Sequence, residues 1–537
     1  MKLSTEILIL GGGATGLGAG WDAALRGFKT LVLEKGDLAH GTSGRYHGLL
    51  HSGGRYVIRD PQSASECAHE NALLRKIMPS AIEDTGGYFA ATPADPADYA
   101  DQFAAACKTC HVPANEIPVT QALKREPLLN PNLSRVFEVQ DAACDSFDAL
   151  HLLAGAVKSA GGEVFLRHRV TEILKSGDRV VGVAGEALKT GEPFTIYADL
   201  ILNCSGAWAG KVAEMAGCSV KVTPGKGVMI AMNSRLVNTV INRLKPPSDG
   251  DILVPVGTVS VIGTTDTAVP DPDKYAIEDW EVDLLMEEGE QLVPGFKEHR
   301  ALRAWAGVRP LYDPGGADSR LMSRAHALLD HETRDGVPGL LSMVGGKFTT
   351  FRHMAQLLVD AACAKLNVER KCVTADTLIE PPGAKLHTLP NRLAALERPL
   401  DDPTTRPPDP VICECELVTR SQIESSLRES GSPILNDLRR DLRLGMGPCQ
   451  AGFCAYRAAG IIREYFNDHS TTGPPDPLTN FQLLQFLQER WKGERPVMWG
   501  HSLRSLELDL HIYHNILGVQ NLPTEREMEV YPTEKTS

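Results

Sequence analysis

The chain has 537 residues, of which 42% are hydrophobic and 23% charged, with a formal net charge of -13. This length exceeds one simple domain and can bury several cores, and the acidic balance excludes general nucleic-acid binding, which needs a basic face. No apolar run approaches the roughly 18 residues of a membrane helix. The apolar residues 7–10 fall short of a secretory leader. The expected compartment is therefore the cytoplasm, where the twelve cysteines read as metal ligands or buried thiols rather than disulfides.

Residues 7–10 read as a strand, residues 11–18 as a glycine turn opening a helix to about residue 27, and residues 30–33 as the next strand. Gly11, Gly13 and Gly16, with Ala14 and Thr15 between the last two, form a G-x-G-x-x-G set. In such a set the first glycine makes the tight turn, the second lets the backbone approach a pyrophosphate, and the third lets helix and strand pack closely. Helix-start N–H groups then face the phosphate charge. Glu34, 18 residues past Gly16 and followed by Lys35, ends the second strand, where a carboxylate accepts hydrogen bonds from ribose hydroxyls. These features predict a dinucleotide site without separating FAD from NAD.

Residues 41–56 are rich in Gly, Ser and His and have no amphipathic period. With Thr42, Ser43, His47, Gly48 and Leu49, this stretch resembles the segment under the flavin in the glycine/D-amino-acid-oxidase-like flavoproteins. Residues 202–208, holding Gly206 and Trp208, resemble the later strand of that superfamily that returns to FAD. Val170 corresponds to the strand residue whose backbone contacts adenine. The resemblance implies FAD and an α/β fold: a Rossmann-like FAD-binding domain with an inserted α+β substrate domain. The FAD-binding parts are expected at about 1–85, 150–210 and 335–375, within an oxidoreductase domain spanning 1–375.

Three further stretches, 262–266, 306–311 and 345–352, stand in an order that resembles the FAD-dependent glycerol-3-phosphate dehydrogenases. By matching motif, the resemblance puts Arg55 and Tyr56 on the substrate side of the flavin and Arg309 and Lys347 at the reacting end. It makes Arg324 a phosphate-binding arginine, and Gly346, Phe348 and Thr349, with Lys347, flavin contacts. Arginine forks bind the oxygens of a phosphate monoester in a fixed orientation. In the block 223–229, Met229 stands where single-subunit relatives carry a histidine, and it cannot accept a proton. The base for the C2 hydroxyl is left among Lys347, His47, His51 and a water.

The stretch 381–410 holds eight prolines, too many for a regular element, and residues 376–410 read as a linker. Beyond it, Cys413 and Cys415 form C-x-C, and after 33 residues Cys449 and Cys454 form C-x4-C. Four thiolates in two close pairs hold zinc or a [2Fe–2S] cluster, and spacing does not choose. The block 411–467 resembles the bacterioferritin-associated-ferredoxin-like [2Fe–2S] domains, with a helix after Cys454, and implies a small helical iron–sulfur domain followed by an extension over 468–537. Cys107 and Cys110 with His111 match a c-haem attachment pattern, which lacks its export context here. They read, like the remaining cysteines, as buried thiols.

Together the two halves resemble the A subunits of the anaerobic glycerol-3-phosphate dehydrogenases. That implies oxidation of glycerol 3-phosphate, a second flavoprotein subunit, a membrane-anchoring iron–sulfur subunit, and quinone as the distant acceptor. The chain itself is then peripheral to the cytoplasmic membrane. A flavoprotein acting on a 2-hydroxy acid or amino acid, or a non-catalytic redox module, are the competing readings.

Overall fold

The structure, a computed structural model, describes residues 1–312, 325–380, 409–430, 434–469 and 476–522. Arg324 and most of the proline-rich stretch therefore lie outside the described residues. The chain forms two units: Met1–Ile230, Arg235–Glu298 and Trp305–Leu386 make the first, and Ala231–Ser234, His299–Ala304 and His387–Ser537 the second.

The first unit begins with strand β1 (Lys2–Leu10), helix α1 (Ala14–Leu25) and strand β2 (Thr30–Leu33). β1 and β2 are parallel, in the register Ile7 to Thr30 through Leu10 to Leu33. Alternate side chains of β1 feed two cores. Ile7 and Ile9 pack toward α1 and the helices Ser146–Ser159 and Phe351–Lys365, while Leu8 and Leu10 pack with Ile196, Ile201 and Val344. Burial on both faces explains the unbroken apolar run, as parallel sheets require. This sheet has eight strands. Its long strand Glu192–Asn203 lies parallel to β1, and Ile201–Asn203 also pairs in parallel with Leu340–Ser342.

A nine-stranded sheet draws its strands from two separated stretches, Gly87–Val139 and Val222–Tyr312. The pieces of the two sheets thus alternate along the chain, as in the mixed α/β architecture with an inserted α+β part. Arg352 is buried and bound through Nε to Glu70 at 2.8 Å, so it anchors two helices rather than meeting a ligand. Cys107 and Cys110 sit in a small apolar core with Phe89 and Phe103, as thiols.

Among its described residues the second unit is helical, with one short two-stranded sheet. Its core joins Ile412, Leu438 and Ile462 with Phe486, Leu487 and Tyr513, so the cysteine block and the following helices share one interior. Among the described residues no helix is long and apolar enough to cross a membrane.

Candidate active site and metal centre

A cavity of about 940 Å³ opens in the first unit above the start of α1. Gly11 adopts φ +110°, and a Cβ there would lie 2.6 Å from the Cys204 carbonyl oxygen, so the turn closes directly onto the neighbouring strand. Gly13 caps α1 with no side-chain bond, and no acidic residue stands in the helix's first turn. The Ala14 N–H donates to Ser43 Oγ at 3.1 Å. Helix N–H groups without a competing carboxylate suit a pyrophosphate. Gly16 lies beneath the turn, where a Cβ would meet the Gly11 carbonyl.

Glu34 is fixed by the same turn: its Oε2 accepts from the Gly12 N–H at 2.8 Å and its Oε1 from Gly36 at 2.7 Å. Burial raises its pKa against those two bonds. Lys35 Nζ lies 4.1 Å from the Trp208 ring centroid, and Trp208 Nε1 donates to Asp273 at 2.9 Å, forming a wall of the cavity. Val170, Gly206, Thr42 and Leu49 also line it, whereas Gly16 and Gly48 do not. A turn, a helix start, a carboxylate in the cavity wall and a long cavity fit a dinucleotide.

Arg55, Tyr56, Arg309 and Lys347 line the same cavity. Arg55 Nη1 pairs with buried Asp251 at 2.8 Å. Arg309 donates to Asp266 at 3.0 Å and to the Thr265 carbonyl at 2.9 Å, and it also reaches the Thr264 hydroxyl. A Cβ at Gly227 would stand 2.4 Å from Arg309 Nη2, so only glycine leaves that guanidinium its place. Lys347 Nζ donates to Ser63 Oγ at 2.8 Å and sits 4.5 Å from the Tyr56 ring centroid. Such cation–π contact favours the charged lysine.

Of the two histidines named as candidate bases, His47 is pushed down to about 3, by burial first and then by Arg55 and Arg309. Its Nδ1 accepts from the Leu49 N–H at 3.1 Å, which leaves the proton on Nε2. His51 packs edge-on against Tyr56 with ring centroids 5.3 Å apart, and its own N–H is held by Thr349. Met229 is buried and is not among the residues lining the cavity. Phe348 stacks on Tyr46, and Thr349 and Gly346 complete the wall.

Sequence reasoning missed the partners that fix these cations. Asp251 and Ser63 carried no local signal, whereas Asp266 and Gly227 lay inside quoted motifs without a role. Lys226, a cation of one of those motifs, bonds buried Glu281 at 2.6 Å and is unavailable to an anion.

In the second unit, Cys413 ends the strand Val411–Cys413 and Cys454 begins the helix Cys454–His469. The sulfurs meet in two pairs, Cys413 with Cys454 and Cys415 with Cys449. Cys415 is pulled down to about 7, first by the Cys449 thiol and then by the Cys449 N–H. Backbone N–H groups of Gly445 and Glu416 reach Cys413, and those of Ala451 and Phe453 reach Cys449. Positive φ at Gly445, Gln450 and Ala451 turns these amides inward, the concavity that suits an anionic centre. Four thiols, two buried and two partly exposed, with this ring of donors fit a metal–thiolate group.

The family model described as FAD dependent oxidoreductase matches residues 6–361. Anaerobic glycerol-3-phosphate dehydrogenase subunit A1 of Haloferax volcanii is 40% identical over 96% of this chain and 90% of its own length. Among solved structures, the glycerol-3-phosphate dehydrogenase of Bacillus halodurans complexed with FAD superposes with TM-score 0.57 at 20% identity, over 96% of this chain and 95% of that one. Glycine oxidase of Geobacillus kaustophilus gives TM-score 0.56 at 22% identity, over 70% of this chain and 99% of that one. The likeness to those two structures shows a shared fold, and the closer sequence match places the chain more narrowly: it belongs to the FAD dependent oxidoreductases and, within them, to the family of anaerobic glycerol-3-phosphate dehydrogenase A subunits.

Proposed function

We propose that this chain oxidises sn-glycerol 3-phosphate to dihydroxyacetone phosphate, with FAD in the cavity of the first unit. The observation that carries the reading is the meeting of a glycine-turn nucleotide cradle with Arg55, Arg309 and Lys347 in one cavity. A phosphate monoester is nearly dianionic, and fixed guanidinium forks both neutralise and orient it. Bound FAD supplies the hydride acceptor, and a [2Fe–2S] cluster on Cys413, Cys415, Cys449 and Cys454 supplies a one-electron outlet. The need of a flavin domain for a one-electron exit favours a two-iron cluster over redox-inert zinc at these four thiols.

The side chains divide the work. Arg55 and Arg309, each tied to a carboxylate, hold the anionic substrate in one pose, and Arg324 joins them as a phosphate ligand. Orientation of this kind is the main task when a hydride must cross a short gap. Lys347, charged over the Tyr56 ring, faces the substrate oxygen. His47 keeps its proton on Nε2 and is too weak a base at about 3. That leaves His51, beside Tyr56, to take the C2 hydroxyl proton on its ring nitrogen.

Electrons leave toward a second flavoprotein subunit and a membrane-anchoring iron–sulfur subunit that reduces quinone, with this chain held peripherally on the cytoplasmic face. Anaerobic titration of the purified chain with sn-glycerol 3-phosphate, glycerol, lactate and alanine tests the reading. Flavin bleaching by glycerol 3-phosphate alone is the expected result, and bleaching by lactate but not by glycerol 3-phosphate overturns it.

A further inference from the structure

Two guanidinium groups in the second unit converge on one neutral oxygen. Arg490, on the helix Asp476–Glu494, is 2% exposed and donates from Nη2 to Gln450 Oε1 at 2.6 Å. Arg303 Nη1 donates to the same oxygen at 3.3 Å. Gln450 is itself buried and spends its amide N–H groups on the carbonyls of Gly447, at 2.9 Å, and Met446, at 3.3 Å. Arg490 Nε has no hydrogen-bond partner, and among the described residues neither arginine has a carboxylate within ion-pair reach.

The nearest carboxyls act only from a distance: the charge of Glu494 reaches both arginines and that of Glu489 reaches Arg303, without an ion pair to either among the described residues. Arg439 and Arg300 add further positive charge to the same neighbourhood. A buried cation beside a half-buried one, without an ion-paired anion, is costly to keep. The anion that fits stands one residue from the shared glutamine: Gln450 follows Cys449 in the ligand loop, and the charge of Arg490 is felt at the Cys454 sulfur.

We propose that Arg490, backed by Arg303 and clamped by Gln450, is a positioning residue that raises the reduction potential of the four-cysteine centre. The proposal rests on the [2Fe–2S] reading of that centre. An oxidised two-iron centre on four thiolates is a dianion, and uptake of one electron makes it a trianion, with no bond made or broken and no proton moved. A guanidinium held in place on the ligand loop favours the more negative state, and the added negative charge in turn favours its protonated form, which burial and Arg303 oppose. The clamp matters because a mobile arginine would swing toward solvent and lose that effect. Placed this way, Arg490 eases the arrival of an electron and holds it until a partner takes it.

The test uses the full chain, purified anaerobically, with iron and acid-labile sulfide measured first. Dithionite titration in mediators, followed by electron paramagnetic resonance, then gives midpoint potentials for wild type, R490Q and R490K. R490Q is expected to keep its iron and its resonance line shape while its potential moves to more negative values, and R490K, which keeps the charge, to stay near wild type. Wild-type potential in a fully loaded R490Q overturns the proposal, as does a fall in R490K equal to that in R490Q. Should R490Q lose iron, R303Q carries the same expectation of a negative shift, and no shift there overturns the proposal. Zinc in place of iron in the wild-type chain ends the [2Fe–2S] reading itself, an outcome separate from an unchanged potential.

Discussion

Asp251, wholly buried, holds Arg55 Nη1 at 2.8 Å while its second oxygen accepts the Ser248 N–H at 2.8 Å. This arginine of the cavity wall is thus aimed by a carboxylate that does not itself line the cavity. D251N keeps the size and loses the charge, leaving Arg55 without its counterion. Losing one partner of a buried charge pair costs about 2–5 kcal/mol. The expected outcome is a fall of about 10²-fold in kcat/KM for glycerol 3-phosphate, carried mainly by KM, with the flavin still bound. Steady-state kinetics and flavin absorbance per chain check it.

Arg309 spreads one guanidinium over Asp266, the Thr265 carbonyl and the Thr264 hydroxyl. Lysine offers a point charge and cannot span three acceptors. R309K is expected to lower kcat/KM by about 10²–10³-fold, a loss of about 3–4 kcal/mol in the transition state. Activity within twofold of wild type would remove Arg309 from the site.

His51 is assigned the hydroxyl proton, and loss of a general base lowers the rate by about 10²–10⁴-fold. H51Q is expected to show that loss in the rate of flavin reduction, in stopped-flow experiments at saturating substrate. The acidic limb of the pH–rate profile should disappear with it. A retained limb would transfer the role to Lys347 or to a water.

His47 gives a pH dependence of stability with a definite sign. Its folded pKa, about 3, lies below the unfolded value of 6.5, so the unfolded chain binds the extra proton between those values. Stability is complete above about pH 6.5 and declines as pH falls toward 3, on the order of 2 kcal/mol by pH 5. H47N removes the titration. Its Tm should therefore drop less than that of wild type between pH 7.5 and pH 5 in calorimetry.

Cys449 and Cys415 face each other at the partly exposed side of the four-cysteine cluster proposed to hold iron. C449S is expected to lose most of the iron, while substrate still bleaches the flavin at an unchanged rate. Electron delivery to an added one-electron acceptor should then collapse. Iron analysis beside stopped-flow flavin reduction separates the two halves of the reaction.

The parts legible in the sequence are those whose logic is local. The turn Gly11–Gly16 and the acid Glu34 are set by one strand–helix–strand unit, and the sheet register follows from it. The cysteines come as two short-range pairs, so spacing alone marked a metal centre. Asp251 was invisible because it serves Arg55 from nearly two hundred residues away across a sheet, and no period in either segment records that pairing. The pairing of Lys226 with Glu281, 55 residues on, is equally absent from the local pattern around either residue. Arg490 and Arg303 likewise come together only in three dimensions, on the side chain of Gln450.

The closure of Gly11 onto the Cys204 carbonyl also constrains how the protein is made. β1 is synthesised long before one of its two neighbours, the strand ending at Asn203. That strand is in turn flanked by Leu340–Ser342. Contacts this distant in sequence form late and slowly. The nucleotide cradle therefore cannot close until the chain has been made past Cys204, and its wall at residues 346–349 is added later still, so flavin capture comes late in biogenesis. Truncated products that stop short of the second strand should emerge colourless, with an apolar sheet edge for chaperones to cover.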